Sequence, residues 1–249
     1  MNKNKILKTS VCLLVSMVLV VGLIVASIPN AAAKEKGEVK MKVFVHYPKV
    51  DGNEGRPQKP TCQITTNDQV GDYGLTGWQM PSGVASYQIN YSSRPLNLSL
   101  DNAKSAVNNA FLTWVTTTTP GFAEGTPTTI SRYQLDGVNL VAWGTVPSGA
   151  IAVTHTWYYS GTGQWVESDT ILSKKLKWAW APYIGDCSGT AGAYDIQNIM
   201  THENGHWLGL NDLYSATDKD LTMYGYGMTG ELKKDTLGLG DILGINTIY

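Results

Sequence analysis

The chain has 249 residues, 43% of them hydrophobic and 16% charged, which suits one enzyme-sized globular unit or two small ones. Nineteen basic against 20 acidic residues leave a formal charge of −1, so no basic surplus marks a nucleic-acid surface. There is no internal repeat and no low-complexity tract.

The first 33 residues carry Lys3, Lys5 and Lys8, no acid, an apolar run from Val11 to Ile28, and Ala31-Ala32-Ala33 before Lys34. This reads as a secretory signal with an A-x-A cleavage site, and hence an extracellular protein with no stable membrane association once the signal is cleaved. An uncleaved anchor is the alternative, since the run sits at the short edge of spanning length. Processing would leave 16 basic against 20 acidic residues and two cysteines, Cys62 and Cys187. In an exported chain an even count favours a disulfide.

Residues 34–83 read as an N-terminal extension or propeptide. Val43 and Val45 alternate with Phe44 and His46, which predicts a short strand, and His46 reads as an ordinary surface or strand residue. From Val84 onward the signals are regular. Tyr87, Ile89 and Tyr91 alternate as a strand. Ala103, Val107, Ala110, Phe111 and Trp114 then recur at helical spacing, with Ser99 or Asp101 as cap and Pro120 beyond. Asn139 to Trp143, Ala150 to Tyr159 and Trp165 to Leu172 are strand-like, the last two joined by Gly161-Thr162-Gly163. His155 reads as a strand-face residue. Glu167 and Asp169 share a face, either as a solvated edge or as a calcium site.

After a loop from Gly185 to Gly192, Asp195 is a good cap for a helix that carries HENGHWLGLND, His202 to Asp212. On a helix His202 and His206 lie one turn apart on one face, where both imidazoles can reach one cation. Glu203 is placed to hold a metal-bound water without ligating. That is the arrangement metal-assisted hydrolysis needs. Gly209 tolerates positive φ, so the helix can stop and the chain can bring Asp212 back as a third ligand. A final helix is predicted with Ile242, Ile245, Ile248 and Tyr249 at compatible spacing.

These segments together resemble a metzincin metalloprotease, most similar to the matrixin-like secreted enzymes. YQINY resembles the first strand, the helix ending AFLTW the first helix, and AIAVTHTWYY the strand that borders the substrate cleft. VESDTIL resembles the next strand, YDIQNIMTHENGHWLGL the active-site helix, LTMYG the Met-turn, and LGLGDILGINTIY the closing helix. The resemblance spans residues 84–249. It implies an α+β catalytic domain with a small twisted, mostly parallel sheet, an antiparallel edge strand, a long backing helix, an active-site helix and a C-terminal helix.

It further implies a monomeric zinc endopeptidase acting on extended polypeptide. His202, His206 and Asp212 would be the metal ligands, Glu203 the general base, and Met223 the floor beneath the metal. Tyr224 and Tyr226 would be structural or line the pocket. Three departures stand out. Asp212 replaces the usual matrixin histidine and resembles the snapalysin variant. His46 and His155 are too few to make a second, structural zinc site. Cys62 in KPTCQIT departs from the matrixin latency setting. A zinc hydrolase of a non-protein amide such as cell-wall material, and a non-catalytic binding protein on the same fold, are the rival readings.

Overall fold

The computed structural model describes residues 35–49, 69–115, 119–180 and 189–249. The first 33 residues, read as a signal, and Cys62 and Cys187 lie outside these, and with them the disulfide expectation. Among the described residues no helix is long and apolar enough to cross a membrane.

Among the described residues, nine strands and three helices make an α+β arrangement around a seven-stranded, mostly parallel sheet of order β3-β2-β4-β6-β5-β1-β9. These strands are β1 (Val39–Pro48), β2 (Val84–Ile89), β3 (Gly121–Glu124), β4 (Leu140–Gly144), β5 (Ala152–Tyr159), β6 (Trp165–Ser173) and β9 (Tyr226–Gly227). β7 (Trp178–Ala179) and β8 (Tyr194–Asp195) pair separately. β2 is parallel to β3 and β4, and β4 to β6. β4 is buried along its whole length, as expected of a strand covered on both faces. β5 and β6 form the expected hairpin, with Gly163 at φ +71° in its turn.

α1 (Leu100–Thr113) starts where Ser99, not Asp101, accepts a hydrogen bond from the Asn102 amide. Its buried stripe is Ala103, Ala106, Val107, Ala110 and Phe111. The small residues admit close packing on α2 (Ile196–Leu208), and the two helices touch where Phe111 meets Trp207 edge to face. Trp114 crosses the same interface, its indole N–H donating to the Thr201 carbonyl at 2.7 Å. α3 (Leu239–Ile248) departs from the expected face: Gly240, Asp241, Gly244 and Ile245 are buried, whereas Ile242 is exposed.

Two further expectations are revised. β5 is antiparallel, as read, but is not an edge: β1 pairs with it antiparallel over eight residue pairs, from Val39 opposite Tyr159 to His46 opposite Ala152. The described parts of residues 34–83 pack on the rest of the chain. β1 is an inner strand, and Trp78 and Met80 join Leu208, Met223 and Ile245 in one apolar cluster. Glu167 and Asp169 are buried rather than a solvated edge. Their oxygens accept backbone N–H groups of Gln134, Asp136, Gly137 and Leu140, pinning that loop to the sheet.

Candidate metal centre

α2 holds the site rigidly because both its ends are fixed. Asp195 caps the N-terminus by accepting from the Asn198 amide at 3.1 Å. Gly209 ends the helix at φ +105°, a conformation costly for any residue with a β-carbon. The chain then doubles back, with the Leu210 amide bonded to the Gly205 carbonyl and the Asn211 amide to Gly74. Asp212 is thereby returned to the face that carries His202 and His206.

Its Oδ1 lies 3.2 Å from His202 Nε2 and 3.4 Å from His206 Nε2. The other ring nitrogens are already committed: His202 Nδ1 donates to the Thr222 carbonyl at 2.8 Å, and His206 Nδ1 to the Leu210 carbonyl at 3.0 Å. A carbonyl can only accept, so each Nδ1 bears a proton, and a ring that is neutral presents its Nε2 lone pair. No hydrogen bond of good geometry reaches the buried His202 Nε2. Burial, then Lys234, push His202 down to about 3, so its ring is neutral at ordinary pH. Burial alone would raise Asp212, but His206 and His202 hold its carboxyl well below the usual range. Burial lowers His206, and the facing Asp212 outweighs this and raises it. Two imidazole Nε2 atoms and one carboxylate oxygen thus meet at one point, His202 neutral and His206 drawn towards its charged form by Asp212. A cation that takes nitrogen and oxygen ligands fits that donor set, and the Nδ1 bonds fix the orientation of both rings.

Met223 packs its sulfur against Gly205, where a β-carbon would collide with it. The turn bearing Met223 is tied to α3 through Asp241, which accepts from the amides of Thr222 (2.8 Å), Met223 (3.0 Å) and Gly238 (2.8 Å). Glu203 is fully buried beside the ligands. Its Oε2 accepts from Thr154 Oγ1 at 2.6 Å, and its Oε1 lies 3.1 Å from His46 Nδ1. Burial pushes it up to about 7, against the pull of His206 and Thr154.

β1 lies directly over this cluster. Phe44 stacks on His206 with ring centroids 3.8 Å apart, and the His46 ring sits 4.1 Å from that of His202. Lys42 Nζ reaches Asn211 at 3.1 Å. His46, His202 and Glu203 form a second group whose ligand-capable atoms lie within 4.8 Å of one another. His46 is therefore no ordinary surface residue. His155, by contrast, lies away from the cluster, stacked on Tyr133 with centroids 3.5 Å apart. Sequence reasoning missed Thr154 and Lys234. Lys234 is fully buried, and its Nζ contacts the carbonyls of Tyr224 (2.5 Å) and Tyr226 (3.1 Å) and His46 Nε2 (3.3 Å). The alternation of Lys42, Phe44 and His46 on one strand face was the one available signal for β1.

Comparison with family models and with curated proteins finds no match to this chain.

Proposed function

We propose that the protein is an exported zinc endopeptidase in which His202, His206 and Asp212 hold the metal and Glu203 is the general base. The observation that carries this reading is the convergence of two imidazole Nε2 atoms and the Asp212 oxygen beside the buried Glu203. Zinc bound there supplies a Lewis acid. Glu203 takes a proton from the attacking water as the oxygen–carbon bond forms. It then delivers that proton to the amide nitrogen as the carbon–nitrogen bond breaks. Thr154 orients the carboxylate throughout by donating to Oε2. A carboxyl raised towards neutrality is suited to both taking and returning a proton.

With His46 in place both Glu203 oxygens are engaged, and the β5 rim is paired. Substrate takes the position of β1: an extended peptide antiparallel to β5 and parallel to β9, held by backbone hydrogen bonds. N-terminal sequencing of catalytically active, secreted material is expected to give a start beyond Pro48. A start near Lys34 in active material would contradict displacement of β1.

The activity is tested by hydrolysis of casein or gelatin. Zinc-loaded protein is expected to cleave, a chelator to abolish cleavage, and Glu203→Gln to reduce it by at least about hundredfold while the fold is kept. Undiminished cleavage by Glu203→Gln would defeat the mechanism. Absence of cleavage by the zinc-loaded wild type would favour a non-protein amide or a binding role.

A further inference from the structure

β1 shows how an extended chain is received, and the side chain of position 46 enters the one slot that reaches past Glu203. The backbone there is fixed on both sides: the Ile151 amide donates to the His46 carbonyl at 2.7 Å, and the Lys49 amide donates to the Gly227 carbonyl at 2.9 Å. Gly227, Ile151 and Ile199 wall the slot, and a β-carbon at Gly227 would lie 3.1 Å from His46 Nε2. The floor is the Lys234 ammonium. Two of its three N–H groups go to the Tyr224 and Tyr226 carbonyls, and the third meets His46 Nε2. Apolar walls around that third N–H leave it dependent on whatever side chain enters, because a buried donor without a partner is costly.

We infer that Lys234 is a specificity-determining residue, selecting peptides whose side chain at the position-46 register carries a hydrogen-bond acceptor at its far end, imidazole or amide, and rejecting lysine and arginine. This rests on the peptidase reading and names its substrate class. Neutral histidine satisfies both ends of the slot, its Nδ1–H donating to Glu203 Oε1 while Nε2 accepts from Lys234. Glutamine meets the ammonium through its amide oxygen. A second cation at the floor has no partner there and faces a fixed like charge. A leucine leaves the ammonium's third N–H unmet.

Two measurements on the full chain test this, one of them independent of hydrolysis. In the first, His46→Gln and His46→Lys are compared by chemical denaturation, alone and combined with Lys234→Met. The lysine is expected to cost at least about tenfold more than the glutamine in the unfolding equilibrium, and the excess to vanish in the Lys234→Met background. Equal costs in both backgrounds would overturn the inference. Should Lys234→Met fail to fold, the His46 pair alone decides, since both variants leave Lys234 untouched: equal cost of lysine and glutamine overturns it.

In the second, activated zinc-loaded protein is given decapeptides VKMKVFVXYP. The one with X as glutamine, which leaves Glu203 Oε1 free, is expected to show kcat/KM at least about tenfold above the one with X as lysine. Equal rates for glutamine and lysine would overturn the assignment. Cleavage of none of them, with the denaturation difference present, would defeat the peptidase reading while leaving the pairing of Lys234 with position 46 intact.

Discussion

Three carboxylates at α2, two of them buried and Asp212 partly so, have three different reasons to be there. Asp241 is spent on backbone amides, Asp212 faces two imidazoles, and Glu203 has only a hydroxyl and a borrowed imidazole. The second is the one whose removal strips a ligand. Asp212→Ala is expected to weaken zinc binding by at least about hundredfold in a competitive titration, more than the loss of an outer hydrogen-bond partner would cause. Unchanged affinity would require another third ligand. The grouping of His202, His206 and Asp212 was legible because helical spacing plus a glycine stop brings them together within eleven residues. The partners of Glu203 were not: His46 is 157 residues away in sequence and Thr154 49. A lone histidine in a short alternating run carries no sign of the carboxylate it will meet.

Asp169 gives a residue-scale test of burial. Its carboxyl is pushed up to about 8 by burial, with Glu167 adding to the rise and the Gln134 and Leu140 amides opposing it. Between its ordinary value of 3.8 and about 8 the folded chain keeps a proton that the unfolded chain releases. Its contribution to stability is therefore full below pH 4 and is lost as pH rises towards 8. Each pH unit in that window costs up to about 1.4 kcal/mol. Asp169→Asn is expected to remove this slope from denaturation midpoints measured between pH 4 and 8. An unchanged slope would show that the carboxyl is ionised in the fold.

At the scale of elements, the helices with strong caps or apolar stripes were readable and the sheet edge was not. Ser99 and Asp195 cap α1 and α2 by local chemistry, which sequence displays directly. Whether β5 lies at an edge depends on β1, more than a hundred residues earlier, and no local pattern reports that pairing. The face of α3 was misjudged for a related reason. Its core contact is made through Gly240 and Gly244, where Leu221 and Leu210 approach the backbone, so apolar side chains such as Ile242 are left outside.

Gly209 is the element-scale residue on which the site depends. An alanine there would be strained at φ +105°, and its β-carbon would press on the Trp78 carbonyl. Gly209→Ala is expected to lower stability by about 2 kcal/mol in chemical denaturation, and to weaken zinc binding because Asp212 follows the turn. A variant of wild-type stability and affinity would show that the turn is not held in this conformation. Phe111→Ala, which empties the α1–α2 contact, is expected to cost about 3–5 kcal/mol with the ligands untouched.

For the whole molecule, strand and helix periods marked the single elements, because those periods are set by neighbouring residues, whereas the α+β class and the mostly parallel sheet came only as what the family resemblance implied. The relation of residues 34–83 to the rest was marked by neither. Trp78 donates its indole N–H to the His206 carbonyl at 3.2 Å, and β1 stands over the metal cluster, so both stretches are part of the site's present surroundings. Among the described residues, the group that could hold a metal consists of imidazoles and a carboxylate. Zinc K-edge absorption of the zinc-loaded full chain tests this most directly. A shell of nitrogen and oxygen alone is expected, at about 2.0–2.2 Å and including two imidazoles, with no sulfur. A sulfur scatterer at about 2.3 Å, or fewer than two imidazoles, would contradict a centre made by His202, His206 and Asp212.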